Sequence, residues 1–544
     1  MLDDLVLLSP LLIVLTTGLV ALLVAVFTPR DTPKGWLAYV VTFGFTIAFG
    51  ACVWLWTKAP AEFHLQSFKN ALVLDHFGLA LSGIILLGAA LVTLSAVHYL
   101  PSQHSDHGEY YSLLSFSVLG MMALVLAGDM MTFFIGLELM SISIYILAGF
   151  KRQSRFSVEA AMKYFILGSF ASALLLLGIS FTYGATGAVT FTGIGRALHE
   201  IADVPIDIAQ FGMVLLLVAF FFKIAAAPFH MWTPDVYEGA PATVTGFMAV
   251  GVKIAAFGGF ARLMLTCFGD PQFRTGAVPW ETIVAIVAVL SMFGGNLMAI
   301  AQKNLKRMLA YSAIAHTGYI MVALLVTPAA PDGHFALNAL GGGLIFYLLG
   351  YTLASAAAFG VAAAVSGNDV EDVSDVAYAG LAKRSPGLAL ALAIAMLSLL
   401  GIPLTAGFMG KLTIFQEVLD TSGNQWLWLI VIAIINSIIS AFFYLRVILV
   451  AYMRDEAETK PIQLIKSRPL GFSLAVASLL TLAVGILPGR AMTASTRAGR
   501  SLAETTFPGV LGPAVHATKP GQHAEIAPAA RPDTAPVEPI NFQF

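Results

Sequence analysis

Charge is what this sequence has least of. Only 11% of its 544 residues are Asp, Glu, Lys or Arg, where a soluble globular domain carries about 25%. That scarcity argues against the several soluble domains that the length alone would suggest. Neither sign of charge is in excess, with a formal net charge of -2, so nothing points to nucleic acid. Cysteine is nearly absent. Cys52 and Cys267 lie in or near apolar runs, and no CxxC or Cys/His spacing occurs. We therefore expect no disulfide framework, zinc site or iron–sulfur cluster in this chain. The N-terminus, MLDDLVLLSP, lacks the basic segment of a signal peptide, so residues 5–27 are expected to be a retained first span.

Apolar residues fill the space that charge leaves. Hydrophobic types make up 58% of the chain, gathered in runs of about 20 residues, the length that crosses a hydrocarbon core as a helix. The expected fold is an all-α polytopic membrane protein with about fourteen transmembrane helices, bounded by polar, Pro and Gly borders. The runs divide into a three-helix segment over 1–104, a five-helix unit over 105–270, a second over 271–455 and a C-terminal helix over 456–490. Residues 491–544 are rich in Pro, Ala and Thr and are expected to be a disordered tail. Arg30 and Lys34, Lys151, Arg152 and Arg155, Lys303, Lys306 and Arg307, and Lys383 and Arg384 fall in alternate loops, which should face the cytoplasm. An even number of spans then puts both termini on the periplasmic side of a bacterial inner membrane. Arg490, Arg497 and Arg500 run against that count.

Four ionisable residues fall well inside spans: Glu138, Lys223, Lys253 and Lys411. Glu138 is deep enough to sit ~14 Å into its helix, near the mid-plane of a core about 30 Å thick. A lysine in hydrocarbon costs roughly 2.5–3.5 kcal/mol on insertion scales. Lys163 and Lys306 lie near span borders, where a long stem can reach water; the three central lysines have no such escape. A structural pair of Glu138 with Lys223 would be a poor stabiliser, and it leaves two cations without an anion. Lysine can lose its proton when desolvated and arginine cannot, so a set of Lys, Glu and His suits proton transfer. Sodium needs hard oxygen ligands, which an ammonium repels. His230 and His316 are candidate relays or simply hydrogen-bonded packing residues. Asp129 at a span start reads as a helix cap, and Asp235 and Glu238 as residues that shape a turn. The loop HYLPSQHSDHGEYY is rich in histidine but lacks a helical i, i+4 pair, so it is not read as a metal site.

Breaks accompany the charges. Pro228 interrupts the seventh span beside Lys223, and Gly401, Pro403, Gly407 and Gly410 interrupt the twelfth beside Lys411. Irregular backbone at membrane depth is tolerated where it lines a cavity or is buried in protein. Two broken spans five apart suggest two five-helix repeats, and an odd number of spans per repeat makes them inverted, the common plan of ion-coupled transporters.

Five motifs in order carry a family resemblance over about residues 70–455: GLELMSISIYIL, FFFKIAAAPFHMWTPDVYEGAP, VGVKIAAF, KRMLAYSAIAHTGY and GIPLTAGFMGKLTIF. They resemble the antiporter-like membrane subunits of NADH–quinone oxidoreductase, respiratory complex I, and most of all its subunit N group. The lysine of GFMGK favours that group over subunit M, and the EGAP ending separates it from multisubunit sodium/proton antiporters. The resemblance implies fourteen helices with two inverted five-helix repeats, and proton translocation without a redox cofactor in this subunit. NAD, flavin, iron–sulfur clusters and quinone would belong to partner subunits, and the partners would be other membrane subunits of the complex. Glu138 and Lys223 would be the family's Glu–Lys pair, Lys253 the central relay and Lys411 the lysine toward the far side, with His230 and His316 as further relays. A sodium/proton antiporter subunit is the alternative, and a purely structural linking subunit a third reading.

Overall fold

The computed structural model describes residues 2–29, 32–58, 64–67, 70–200, 204–274, 276–326, 341–366, 374–422, 424–454 and 464–506. In hydrocarbon every backbone N–H and C=O must be satisfied inside the chain, so the apolar runs become helices. The first spans are α1 (Leu2–Leu7) with α2 (Ser9–Phe27), α3 (Leu37–Lys58) and α4 (His76–Ser102). A short antiparallel hairpin, β1 (His64–Ser67) and β2 (Leu72–Asp75), precedes α4. The next five spans are α5 (Glu109–Val125), α6 (Met130–Ala148), α7 (Arg155–Thr186), a broken fourth and a fifth. The lateral α8 (Phe191–Glu200) precedes the broken one, which is α9 (Ile206–Lys223) followed by α10 (Thr233–Gly239). The fifth runs through α11 (Ala242–Phe247), a π-helical turn (Met248–Val252) and α12 (Lys253–Cys267).

The short α13 (Pro271–Arg274) leads to α14 (Trp280–Ile300), α15 (Leu305–Val322) and α16 (Gly342–Val365). After α17 (Leu381–Arg384) comes a second broken span, α18 (Pro386–Leu400) and α19 (Ala406–Ser422), then α20 (Leu427–Met453), α21 (Arg468–Ile486) and α22 (Gly489–Thr506). Twelve helices among the described residues are long and apolar enough to cross a membrane by themselves. One bent pair, Val376–Arg384 with Pro386–Leu400, raises that to thirteen if it is a single span, against the expected fourteen, and α5 is a shorter apolar helix.

The two five-span units pack by one scheme. In the first, α5 lies on α6, α6 on α7, α7 on the broken α9, and α12 returns to α5. In the second, α14 lies on α15, α15 on α16, α16 on both halves of the broken span, and α20 returns to α14. The two units hold α11, α12, α15 and α16 in the interior: the windows Ala242–Cys267 and Leu305–Leu325 are 100% buried.

Residues 491–506, expected from their composition to be disordered, form most of α22 instead. The reason is a buried face: Ser495, Ala498, Ser501 and Leu502 recur at helical spacing and are covered by α4 and α16. The small residues that resemble a tail allow this close packing. Arg497 lies 5.5 Å from the Trp56 ring centre, so the arginines at odds with the charge count belong to a packed helix. Residues 507–544 lie outside the described residues. The hairpin was not expected either; its second strand continues onto the α5–α6 turn, where Val73 N donates to Leu126 O at 2.8 Å and Gly128 N to Ala71 O at 2.9 Å.

Inside spans there are more charges than the four expected. Asp75 caps α4, accepting from Gly78 N at 2.8 Å, and takes both terminal nitrogens of Arg262 at 2.8 Å. Arg262 is 1% exposed and its Nε donates to Val125 O at 3.2 Å. This pair is structural, since a guanidinium does not release its proton. Asp75→Ala alone should cost about 3–5 kcal/mol by stranding a buried guanidinium. It should appear as a lower thermal midpoint and less protein in the membrane, and Asp75→Ala with Arg262→Met should recover most of the loss.

Candidate functional site

α9 ends at Lys223, and the chain then turns through residues 224–232, with Ala225 in the left-handed region at φ 58 and a cis Ala227–Pro228 bond. The Lys223 side chain is 3% exposed. Its ammonium donates to Ser141 Oγ at 2.8 Å and to Tyr145 OH at 3.1 Å, both on α6. Glu138, one turn earlier on α6, is half-buried and accepts from Ser172 Oγ on α7. The expected Glu138–Lys223 ion pair is therefore not in contact. Ser141 gives the ammonium a nearer oxygen, and Ser172 turns the carboxylate toward α7.

Lys253 opens α12 directly after the π-helical turn; such turns break the α register and often mark functional positions. Its ammonium donates to Ala313 O and, at 2.9 Å, to Thr317 Oγ1 on α15. Thr317 in turn donates to Ile224 O at 2.7 Å. One hydroxyl therefore joins Lys253 to the residue after Lys223. A cavity of about 10 Å³ lies between the two lysines, lined also by Trp232, Thr233 and Tyr237. That is about the room one water needs.

α15 carries the line onward. His316 is 3% exposed and is held between two phenols, Tyr347 OH at 2.6 Å from Nδ1 and Tyr444 OH at 3.0 Å from Nε2. Ser312 Oγ also bonds the Tyr444 hydroxyl. One turn further along α15, Tyr319 OH accepts from Asn296 Nδ2 at 3.3 Å, and its ring centre is 4.6 Å from the Lys411 ammonium. Lys411 donates to Leu400 O at 2.8 Å and to Ser437 Oγ at 2.9 Å. Leu400 is the last residue of α18, so this cation sits on the negative end of a half-helix. Gly401 makes the arrangement possible. Its φ is 90, and a Cβ there would stand 3.1 Å from Lys411 Cδ.

The structure thus gathers Lys223, Lys253, His316 and Lys411 along one interior line, with Glu138 at its flank. His230 does not join it. It lies half-buried on the turn of the broken span, and among the described residues its Nδ1 has no partner. The two breaks are also placed differently from the expected match: Lys223 ends the helix before its break, whereas Lys411 is in the second turn of the helix after its own. Lys306, expected to reach water, is 1% exposed and donates to Ala240 O at 2.5 Å. Asp129 does cap α6, accepting from Thr132 N at 2.6 Å.

Below the first break, α10 is clamped by charge. Asp235 takes Lys163 Nζ at 2.7 Å and Arg307 Nη1 at 2.8 Å, and Glu238 takes Arg307 Nη1 at 2.7 Å. Burial alone would raise the Asp235 carboxyl, but its two cations hold it below the ordinary carboxylate range. Sequence reading missed the hydroxyl groups that hold the lysines and His316: Ser141, Tyr145, Thr317, Tyr347, Tyr444 and Ser437. A signal was present on α15, where Ser312, His316 and Tyr319 recur at helical spacing.

The sequence matches the family profile described as NADH:quinone oxidoreductase/Mrp antiporter, TM, over residues 127–440. NADH-quinone oxidoreductase subunit N 1 of Sorangium cellulosum (strain So ce56) is 43% identical over 437 residues, 80% of this chain and 84% of that protein. A chain from the structure of respiratory complex I from Thermus thermophilus with bound aureothin is 32% identical and superposes with a TM-score of 0.72, covering 89% of this chain and 98% of that one. A chain of the Mrp complex from Dietzia sp. DQ12-45-1b shares the fold at 21% identity, with a TM-score of 0.77 over 94% of this chain and 98% of that one.

Buried cations held mainly by hydroxyls and carbonyls are costly to keep. Lys253→Met should therefore leave the thermal midpoint of the purified protein unchanged or raise it, because an apolar isostere replaces a desolvated charge. A clear drop would mean that the ammonium is a stabilising strut.

Proposed function

This chain belongs to the NADH:quinone oxidoreductase/Mrp antiporter family, on the side of its NADH-quinone oxidoreductase subunit N members, and from that premise we propose that it conducts protons through the membrane along the buried lysine line. It does so as one subunit of a bacterial inner-membrane complex. NADH, flavin, iron–sulfur clusters and quinone react in partner subunits, and neighbouring membrane subunits pass the coupling on. The observation that carries the reading is the line itself: three buried lysines and one histidine, each held by at least one hydroxyl, with a water-sized cavity between Lys223 and Lys253 and no carboxylate in contact with any of the lysines among the described residues. The lysine-rich loops face the cytoplasm in this reading, and both termini face the periplasm.

The mechanism follows from what each group can hold. Glu138 lies one turn from Ser141, the residue that now binds Lys223. Approach of the carboxylate favours the Lys223 ammonium, and its withdrawal toward Ser172 favours release. At an effective dielectric of about 20, two unit charges at 4 Å interact by ~4 kcal/mol. Moving one charge against 100 mV costs about 2.3 kcal/mol. Making and breaking this one contact is therefore of the right size to drive a proton uphill. The released proton crosses the small cavity to Lys253. His316 accepts and donates between Tyr347 and Tyr444, and Lys411 takes the proton before release on the far side.

The fold shared with an Mrp chain keeps sodium/proton exchange as the alternative. The donor set weighs against it, since ammonium groups and phenols do not make a cage of hard oxygens for sodium. Lys223→Ala, Lys253→Ala and Lys411→Ala should each lower NADH-driven proton uptake into inverted membrane vesicles by at least about tenfold, a barrier change of ~1.4 kcal/mol. Assembly should be retained in each variant. Native uptake in all three would overturn the proposal, and uptake that requires sodium would favour exchange.

A further inference from the structure

Beyond Lys411 the second half of the broken span carries a further ionisable group. Glu417 lies six residues along α19, a rise of ~9 Å at 1.5 Å per residue. Lys383 and Arg384, on the side of the basic loops, precede α18, so α19 leads from Lys411 toward the opposite face. Asp420 is exposed, and α19 ends at Ser422. Glu417 is half-buried. Its Oε1 accepts from Gly343 N at 2.6 Å, in the first turn of α16, where free N–H groups favour an anion. Its Oε2 is covered and has no hydrogen-bond partner among the described residues.

Glycine makes room for both oxygens. A Cβ on Gly342 would stand 2.8 Å from Oε1, and one on Gly343 2.6 Å from Oε2 and 3.2 Å from Ile414 Cα. The carboxylate therefore lies back over the turn of Ile414, as helical side chains lean toward their own N-terminus. One turn along α16, Tyr347 packs on Gly410, where a Cβ would stand 3.0 Å from Tyr347 Cα. Tyr347 is also the phenol on His316 Nδ1. A single turn of α16 thus separates the level of His316 and Lys411 from that of the Glu417 carboxylate.

We propose that Glu417 is the exit acid of the lysine line: it takes the proton that Lys411 gives up and passes it to water on the far face. This rests on the proton reading of the line. The Lys411 ammonium becomes an amine and the carboxylate becomes a carboxylic acid, with the proton on Oε2. Water beyond Asp420 then takes that proton and the carboxylate is restored. Oε2 has no donor to lose, so it accepts a proton without breaking a bond, and Oε1 keeps Gly343 N throughout. Burial favours the neutral acid and the helix end the carboxylate, so neither form is trapped. A simple cap on α16 would need Oε1 alone.

The test measures NADH-driven proton uptake by inverted membrane vesicles that contain the intact complex. Glutamine keeps the size of Glu417 and an acceptor for Gly343 N, but cannot take up and release a proton there. Aspartate keeps the acid and shortens the reach to Gly343. Glu417→Gln should lower uptake by at least about fivefold, and Glu417→Asp should stay within about twofold of native. A purely structural carboxylate gives the reverse order, and so does a folding defect, which would strike the shorter side chain harder. Uptake in Glu417→Gln equal to or above that in Glu417→Asp would therefore overturn the proposal. Lys411→Ala in the same assay keeps the two readings apart. Lowered uptake there, with native uptake in Glu417→Gln, removes the exit acid and leaves the line standing; native uptake in Lys411→Ala would bring down the line and the exit with it.

Discussion

An ammonium group away from water must be given oxygen, and the interior of this protein is arranged to do so without giving it a permanent anion. Lys223 takes two hydroxyls, Lys253 a carbonyl and a hydroxyl, and Lys411 a carbonyl and a hydroxyl. An intact helix uses most of its interior carbonyls for its own N–H groups, and the Ala313 carbonyl of α15 accepts from Lys253 as well. The broken spans free some of them, and the breaks supply Leu400 O to Lys411 and Ile224 O to Thr317. The irregular backbone and the buried cations are thus two halves of one solution. By contrast Arg262 is matched by a full carboxylate and three oxygen contacts. Arg262 is paired with an acid, whereas Lys223, Lys253 and Lys411 are held by neutral oxygens.

Between the two broken spans, α15 has the central part. It presents the Ala313 carbonyl and Thr317 to Lys253, His316 to two phenols, and Tyr319 to Lys411. The two five-span units pack by the same scheme, yet their lysines are not placed alike. Lys223 precedes its break and faces hydroxyls of a neighbouring helix, whereas Lys411 follows its break and faces the end of its own first half.

Much of this was legible in the sequence, because the hydrocarbon core makes sequence patterns strict. Apolar runs had to be helices, and a lysine at the middle of one had to be explained. Glycine and proline at 401, 403 and 228 had to interrupt something. What was not legible depended on contacts between distant segments. Arg262 drew no attention in the sequence, where nothing shows that Asp75 lies beside it. Glu138 and Lys223 are not in direct contact here, each being bonded to a serine hydroxyl that is silent in the sequence. His230, within the break, has no hydrogen bond from its side chain to any member of the line among the described residues. Residues 491–506 had the composition of a loose tail, and the surfaces of α4 and α16 cover the helix they form.

The position of Lys411 has one more consequence. Its ammonium sits where a C-terminal capping group would sit, on the last carbonyl of α18, against a glycine in the left-handed region. When that nitrogen is neutral it loses most of its attraction for the carbonyl, and the end of α18 loses its positive cap. The protonation of one side chain and the tightness of a backbone turn therefore become a single coordinate. At that position the protein cannot register the departure of a proton without also registering a change of shape.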